Sequence, residues 1–108
     1  MFPKKSTPLL ILCAIACTST LRAVDGRQVF NTNCASCHGV DGKARTPAGK
    51  ALGAKDLCAS KLSDAEIEKQ ITNGVQDASG KQRMPAFKSR LTAEEITALV
   101  AHVKTFRN

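Results

Sequence analysis

Beyond residue 23 the chain holds only three aromatic side chains, Phe30, Phe87 and Phe106, and it has neither Trp nor Tyr. This shortage constrains the fold more than any other feature of the sequence. A stretch of about 85 residues with so few large apolar groups has little material for a core. Domains of this size need a staple: disulfides, a metal or a large cofactor.

The count starts near residue 24 because the preceding residues read as an export signal. Lys4 and Lys5 form a basic start, Leu9 to Cys17 is an uncharged run, and small and polar residues lead to Leu21-Arg22-Ala23. That is the layout of a secretory signal peptide. The run of nine residues is too short to span a bilayer, which takes about 20. We therefore expect residues 1–23 to be a signal peptide and residues 24–108 to be one domain. The expected destination is the periplasm or another extracytoplasmic compartment such as a thylakoid lumen, with no integral membrane span in the mature chain. A cut before Cys17 instead would leave a lipid-anchored protein.

Cysteine usage identifies the staple. Cys13 and Cys17 lie in the export signal, leaving Cys34, Cys37 and Cys58. Three is odd, so a full disulfide framework is excluded. Cys34-Ala35-Ser36-Cys37-His38 is a CxxCH motif. A thioredoxin-like redox pair would want strands alternating with helices around it, and no such pattern surrounds it. A zinc site would want two further ligands, and only Cys58 and His102 remain, at no familiar spacing. With His directly after the second Cys, the motif reads as c-type haem attachment. Residues at i and i+3 of a helix share a face, so two thiols at that spacing reach one porphyrin edge, and His38 is turned toward the iron. A ligating imidazole needs its other nitrogen fixed by a hydrogen bond.

The helical pattern fits such a staple. Asp25 is a candidate N-cap, with Val24 and Val29 as a staple around it, and Phe30, Cys34 and Cys37 follow on one face. Gly39 to Lys61 carries four Gly and Pro47 and reads as loop with at most a short turn of helix. Ser63 and Glu66 form a capping box for a helix running to Asn73 and stopping at Gly74. Thr92 and Glu95 repeat the box, and Ile96, Leu99, Val100, Val103 and Phe106 form one apolar stripe. No strand pattern of period two stands out. The expected class is all-α: three main helices with long loops, acceptable in a compact domain because the loops wrap a large flat cofactor.

Met84 is the only Met after the start residue. It lies in a polar loop, Gly80 to Phe87, beside Pro85. A lone Met is usually a core filler, but in a chain with a His-ligated haem a thioether sulfur is a candidate for the opposite axial position, a ligand set that raises the reduction potential.

These elements, Asp25-Gly26, Phe30, Cys34-Ala-Ser-Cys37-His38-Gly39, Met84-Pro85-Ala86-Phe87 and the helix from Leu91 to Phe106, resemble the small class I cytochromes c of bacteria and photosynthetic organisms. The resemblance covers nearly all of residues 24–108. It implies one haem c, attached covalently through Cys34 and Cys37, with its iron ligated by His38 and Met84. It implies an N-terminal helix crossing the C-terminal one, with Gly26 and Phe30 against Leu99 and Val103, and a Pro47 carbonyl holding the free nitrogen of His38. His102 stands where the family often has a packing aromatic and is expected to pack rather than ligate. Cys58 is not a family feature. It is either a buried small hydrophobe or an exposed thiol, and the sequence leaves both open.

The function implied is a monomeric single-electron carrier, not an enzyme, since no acid–base pair accompanies the motif. The alternative is a haem enzyme accessory or gas sensor with a labile sixth ligand. Residues 24–108 carry 13 Lys and Arg against 9 Asp and Glu, scattered rather than striped. That argues against nucleic acid as a partner and fits either a solvated surface or a docking face for acidic redox proteins.

Overall fold

The computed structural model describes Pro3 and residues 23–108. The expected signal peptide therefore lies almost entirely outside the described residues, as do Cys13 and Cys17.

Asp25 caps helix α1 (Gly26–Asn33), its carboxylate accepting from the backbone N–H of Arg27 at 3.0 Å and of Gln28 at 3.4 Å. The helix pauses at Cys34 and resumes as the single turn α2 (Ala35–His38), which contains the second Cys and the His. Thr46 caps α3 (Pro47–Leu52), with Pro at the first position and Gly53 in the left-handed region at its end. This helix is longer than the expected short turn. A 3-10 turn follows at Leu57–Ala59.

The two long capped helices lie where their boxes predict. In α4 (Asp64–Asn73) Ser63 accepts from the Glu66 N–H at 3.2 Å and donates its hydroxyl to the Glu66 carboxylate. In α5 (Ala93–Lys104) the box is reciprocal: the Glu95 N–H donates to the Thr92 hydroxyl, and the Thr92 N–H donates to the Glu95 carboxylate. Each such cap stabilises its helix by about 1 kcal/mol. The expectation of no strand needs one correction. Strands β1 (Val75–Gln76) and β2 (Gln82–Met84) pair antiparallel, Val75 opposite Met84. Strands of two and three residues are too short to display alternation, so the mostly helical class stands.

α1 crosses α5 and α4 packs beside them, enclosing Val29, Phe30, Ile67, Ile71, Phe87, Ile96, Leu99, Val100 and Val103. Among the described residues only Phe30 and Leu99 are large side chains that are fully buried. The helices touch closely at Gly26, where any Cβ would collide with the Ala98 carbonyl and crowd the Cβ of His102. Gly26 thus meets Ala98 and His102, while Phe30 shares the core cluster with Leu99 and Val103. His102 packs as expected: its ring lies 5.2 Å from that of Phe30 and 5.0 Å edge-on from that of Phe106. Burial and the nearby Arg27 hold its pKa below the usual histidine value, against the opposing pull of Asp25.

Candidate haem site

The short core stops at a cavity of about 1080 Å³, just above the roughly 300–1,000 Å³ typical of cofactor sites. Cys34, Cys37 and His38 line it from the motif turn; Met84 and Pro85 line it from the end of β2; Leu57, Ile67, Ile71, Leu99 and Val103 supply apolar wall. The four residues singled out from the sequence therefore share one chamber, although 46 positions separate His38 from Met84.

Local bonds hold the motif side. His38 N–H and Cys37 N–H both donate to the Cys34 carbonyl, at 2.9 and 3.2 Å, so the two thiol residues and the His belong to one turn. The Thr46 hydroxyl donates to the Cys37 carbonyl at 2.7 Å and accepts from Gly49 N–H at 3.0 Å, tying α3 to that turn. Gly49 makes the approach feasible, because a Cβ there would strike the Cys37 carbonyl. His38 Nδ1 lies 3.1 Å from the backbone oxygen of Lys55. A carbonyl only accepts, so Nδ1 carries the proton and Nε2 keeps a free lone pair. Burial also holds the His38 pKa below its ordinary value, outweighing that hydrogen bond, so the neutral, ligand-competent imidazole is favoured. The expected Pro47 carbonyl is replaced in this role by that of Lys55. Pro47 instead opens α3, where its carbonyl belongs to the helix.

Longer-range contacts hold the methionine side. Met84 is partly buried against the core cluster. The Gln82 side-chain amide donates to the Met84 carbonyl. Phe87 N–H donates to the Ile71 carbonyl at 2.9 Å and Lys88 N–H to that of Thr72 at 3.2 Å, fastening the segment to the end of α4. Gly74, at φ 71°, lets the chain turn so tightly that a Cβ would meet the Met84 carbonyl and the Ala86 nitrogen.

The donor set fits a covalent haem better than the other readings of CxxC. Both thiols are free, and burial, with help from Cys37, pushes the Cys34 thiol up to about 11. A dithiol redox centre requires the opposite shift. Among the described residues no three His, Cys, Asp or Glu side chains come together to hold a metal ion, as a zinc site would require. Cys58 lies within the 3-10 turn and is half-buried, its thiol 3.7 Å from the Asp41 carbonyl, and burial and the Asp56 carboxyl raise its pKa. Sequence reasoning missed Thr46, Lys55, Asp77 and Arg83. Only Thr46, in a Thr-Pro pair typical of a helix start, left a signal that could have been read.

Comparison with known proteins agrees with this chemistry. The family described as cytochrome C oxidase, cbb3-type, subunit III matches residues 22–103. Cytochrome c6 of Anabaena variabilis is 38% identical over 86 residues, covering 75% of this chain and 87% of that protein. Cytochrome c6 of a Nostoc species is 43% identical over 82 residues, covering 75% and 68%. Among solved structures, the KustC0563 c-type cytochrome superposes with a TM-score of 0.69 at 37% identity, covering 79% of this chain and all of that one. Cytochrome c6 of the diatom Phaeodactylum tricornutum gives 0.51 at 34% identity, covering 75% and 88%. The helical fold, the family match and these relatives agree: the chain belongs to the c-type cytochromes, as a small class I member of that family.

Proposed function

We propose that the protein is a single-electron carrier, with one haem c joined by thioethers to Cys34 and Cys37 and ligated by His38 and Met84. The observation that carries this reading is that one imidazole, two thiols and one thioether sulfur border a single, mostly apolar chamber. When bound, the haem supplies reversible one-electron exchange at iron.

The chain's own residues do the rest. His38 offers Nε2 because Lys55 fixes the proton on Nδ1. Met84 offers a soft sulfur, which favours the reduced metal and raises the potential. Ile67, Ile71, Phe87 and Leu99 are all buried and border the chamber. They exclude water and so limit the solvent reorganisation that accompanies a change of charge. No group is needed to move protons to a substrate, in keeping with an electron carrier rather than an enzyme.

Lys50, Lys55, Lys61 and Arg83 border the chamber against Asp56 and Asp77. This basic excess suits redox partners with acidic faces, and its steering weakens as salt rises. We further propose that residues 1–23 are removed on export, that residues 24–108 work as a monomer, and that the compartment is the periplasm or a thylakoid lumen. Among the described residues no helix is long and apolar enough to cross a membrane.

The test is the spectrum of the purified holoprotein. We expect c-type bands in the reduced-minus-oxidised difference, a weak far-red sulfur-to-iron band when oxidised, and slow carbon monoxide binding when reduced. Absence of the far-red band with rapid carbon monoxide binding would instead support a sensor or accessory role with an open sixth position.

A further inference from the structure

The ladder that delivers Met84 is meagre. It comprises the pairs Val75 with Met84 and Gln76 with Gln82, with an irregularity between them. Two-stranded ribbons of this length are marginal by themselves, so something else must shape the loop beyond them.

That loop is organised by one carboxylate. Asp77 Oδ1 accepts from Ser79 N–H at 2.9 Å, from Lys81 N–H at 3.1 Å and from the Ser79 hydroxyl. Its Oδ2 accepts from Arg83 Nε at 2.9 Å. The backbone closes the same loop, with Asp77 N–H donating to the Lys81 carbonyl and Gly80 N–H to the Asp77 carbonyl. Arg83 directly precedes Met84, and both Asp77 and Arg83 border the chamber.

We propose that Asp77 and Arg83 form a clamp that positions Met84, so that the pair sets how readily the sulfur leaves the chamber. The inference rests on the site reading above and names the residues that govern its weaker side. An isolated exposed ion pair contributes little. Here, however, one carboxylate gathers four donors from the three residues Ser79, Lys81 and Arg83, and charge-assisted bonds are the stronger kind. The Asp77 carboxyl is drawn down to about 2, most of all by the Ser79 hydroxyl; desolvation opposes this as the next largest effect, and Arg83 and then the loop N–H groups add to the lowering. The carboxylate therefore stays ionised throughout the neutral range. Arg83 cannot swing away without taking from Asp77 Oδ2 the donor that binds it, and Met84 is the next residue along the strand.

Asp77 and Arg83 are positioning residues, so the test must separate positioning from general stability. Holoprotein of the wild type, Arg83→Gln, Arg83→Lys, Asp77→Asn and Met84→Ala would be compared for the far-red band, for carbon monoxide association to the reduced form and for thermal melting. We expect carbon monoxide to bind about fivefold faster in Arg83→Gln and Asp77→Asn, because the apparent rate follows the fraction of molecules with the sulfur displaced. Arg83→Lys should lie near the wild type, melting should change little, and Met84→Ala should set the upper limit. Wild-type rates in both Arg83→Gln and Asp77→Asn, with the far-red band intact in the wild type, would overturn the clamp alone. A wild type that lacks the band and matches Met84→Ala would overturn the ligand reading, and the clamp with it.

Discussion

The two sides of the chamber are built by different means. The motif side is local: Cys34, Cys37 and His38 sit within five residues on one turn, buttressed by α3 through Thr46 and Gly49. The methionine side is assembled at long range, from a short hairpin, the end of α4 and a loop organised by Asp77. Helical spacing delivers the first almost by itself. The second depends on many weak contacts agreeing, and it is the natural place for tuning or failure.

The largest effect should come from removing the staple altogether. The described core has only two fully buried large side chains, and a single core in a chain this short rarely supplies more than about 3–5 kcal/mol. Cys34→Ala with Cys37→Ala should therefore leave a largely unstructured chain by circular dichroism. A helical apo-form that melts cooperatively would mean that the peptide packs unaided, and neither side of the chamber would then need the cofactor.

A paired substitution separates the two sides. Gly49→Ala drives a Cβ into the Cys37 carbonyl on the motif side, and overpacking of this kind costs about 1–3 kcal/mol. Gly74→Ala meets the Met84 carbonyl and also sits at φ 71°, where a side chain costs about 1–2 kcal/mol before any clash. Both should lower the melting temperature. Only Gly74→Ala should also weaken the far-red band and speed carbon monoxide binding. Equal spectral damage from both would show that the sides are not independent.

The smallest effect concerns pH at the helix crossing that supports both. His102 has a folded-state pKa below its ordinary 6.5, so the unfolded chain takes up a proton first as pH falls. Its contribution to stability is complete above about pH 6.5 and declines below it, until the folded form also titrates. His102→Phe should flatten the stability profile in that window while keeping the contacts with Phe30 and Phe106. An unchanged profile would assign the acid sensitivity to other groups.

The uneven construction also explains what the sequence revealed. Asp25, Ser63 and Thr92 announced their helices because a cap is a local device with a fixed offset, and the apolar stripe from Ile96 to Val103 announced its own face. Cys34, Cys37 and His38 were legible for the same reason, and Met84 because it is unique in the domain. The hairpin was not legible, since β1 and β2 together hold only five residues. The acceptor for His38 could not be read, because a backbone carbonyl is the same at Lys55 as at Pro47. The Asp77–Arg83 pair joins a loop residue to a strand residue six positions on, where no periodicity connects them.

The central claim is that a short, poorly filled chain is completed by a porphyrin sewn through two sulfurs. The most direct measurement is the intact mass of native exported protein under denaturing conditions. The account predicts the mass of the chain beginning near Val24 plus one haem, retained after unfolding and lost in the double Cys34→Ala, Cys37→Ala variant. A native mass equal to the polypeptide alone would contradict it.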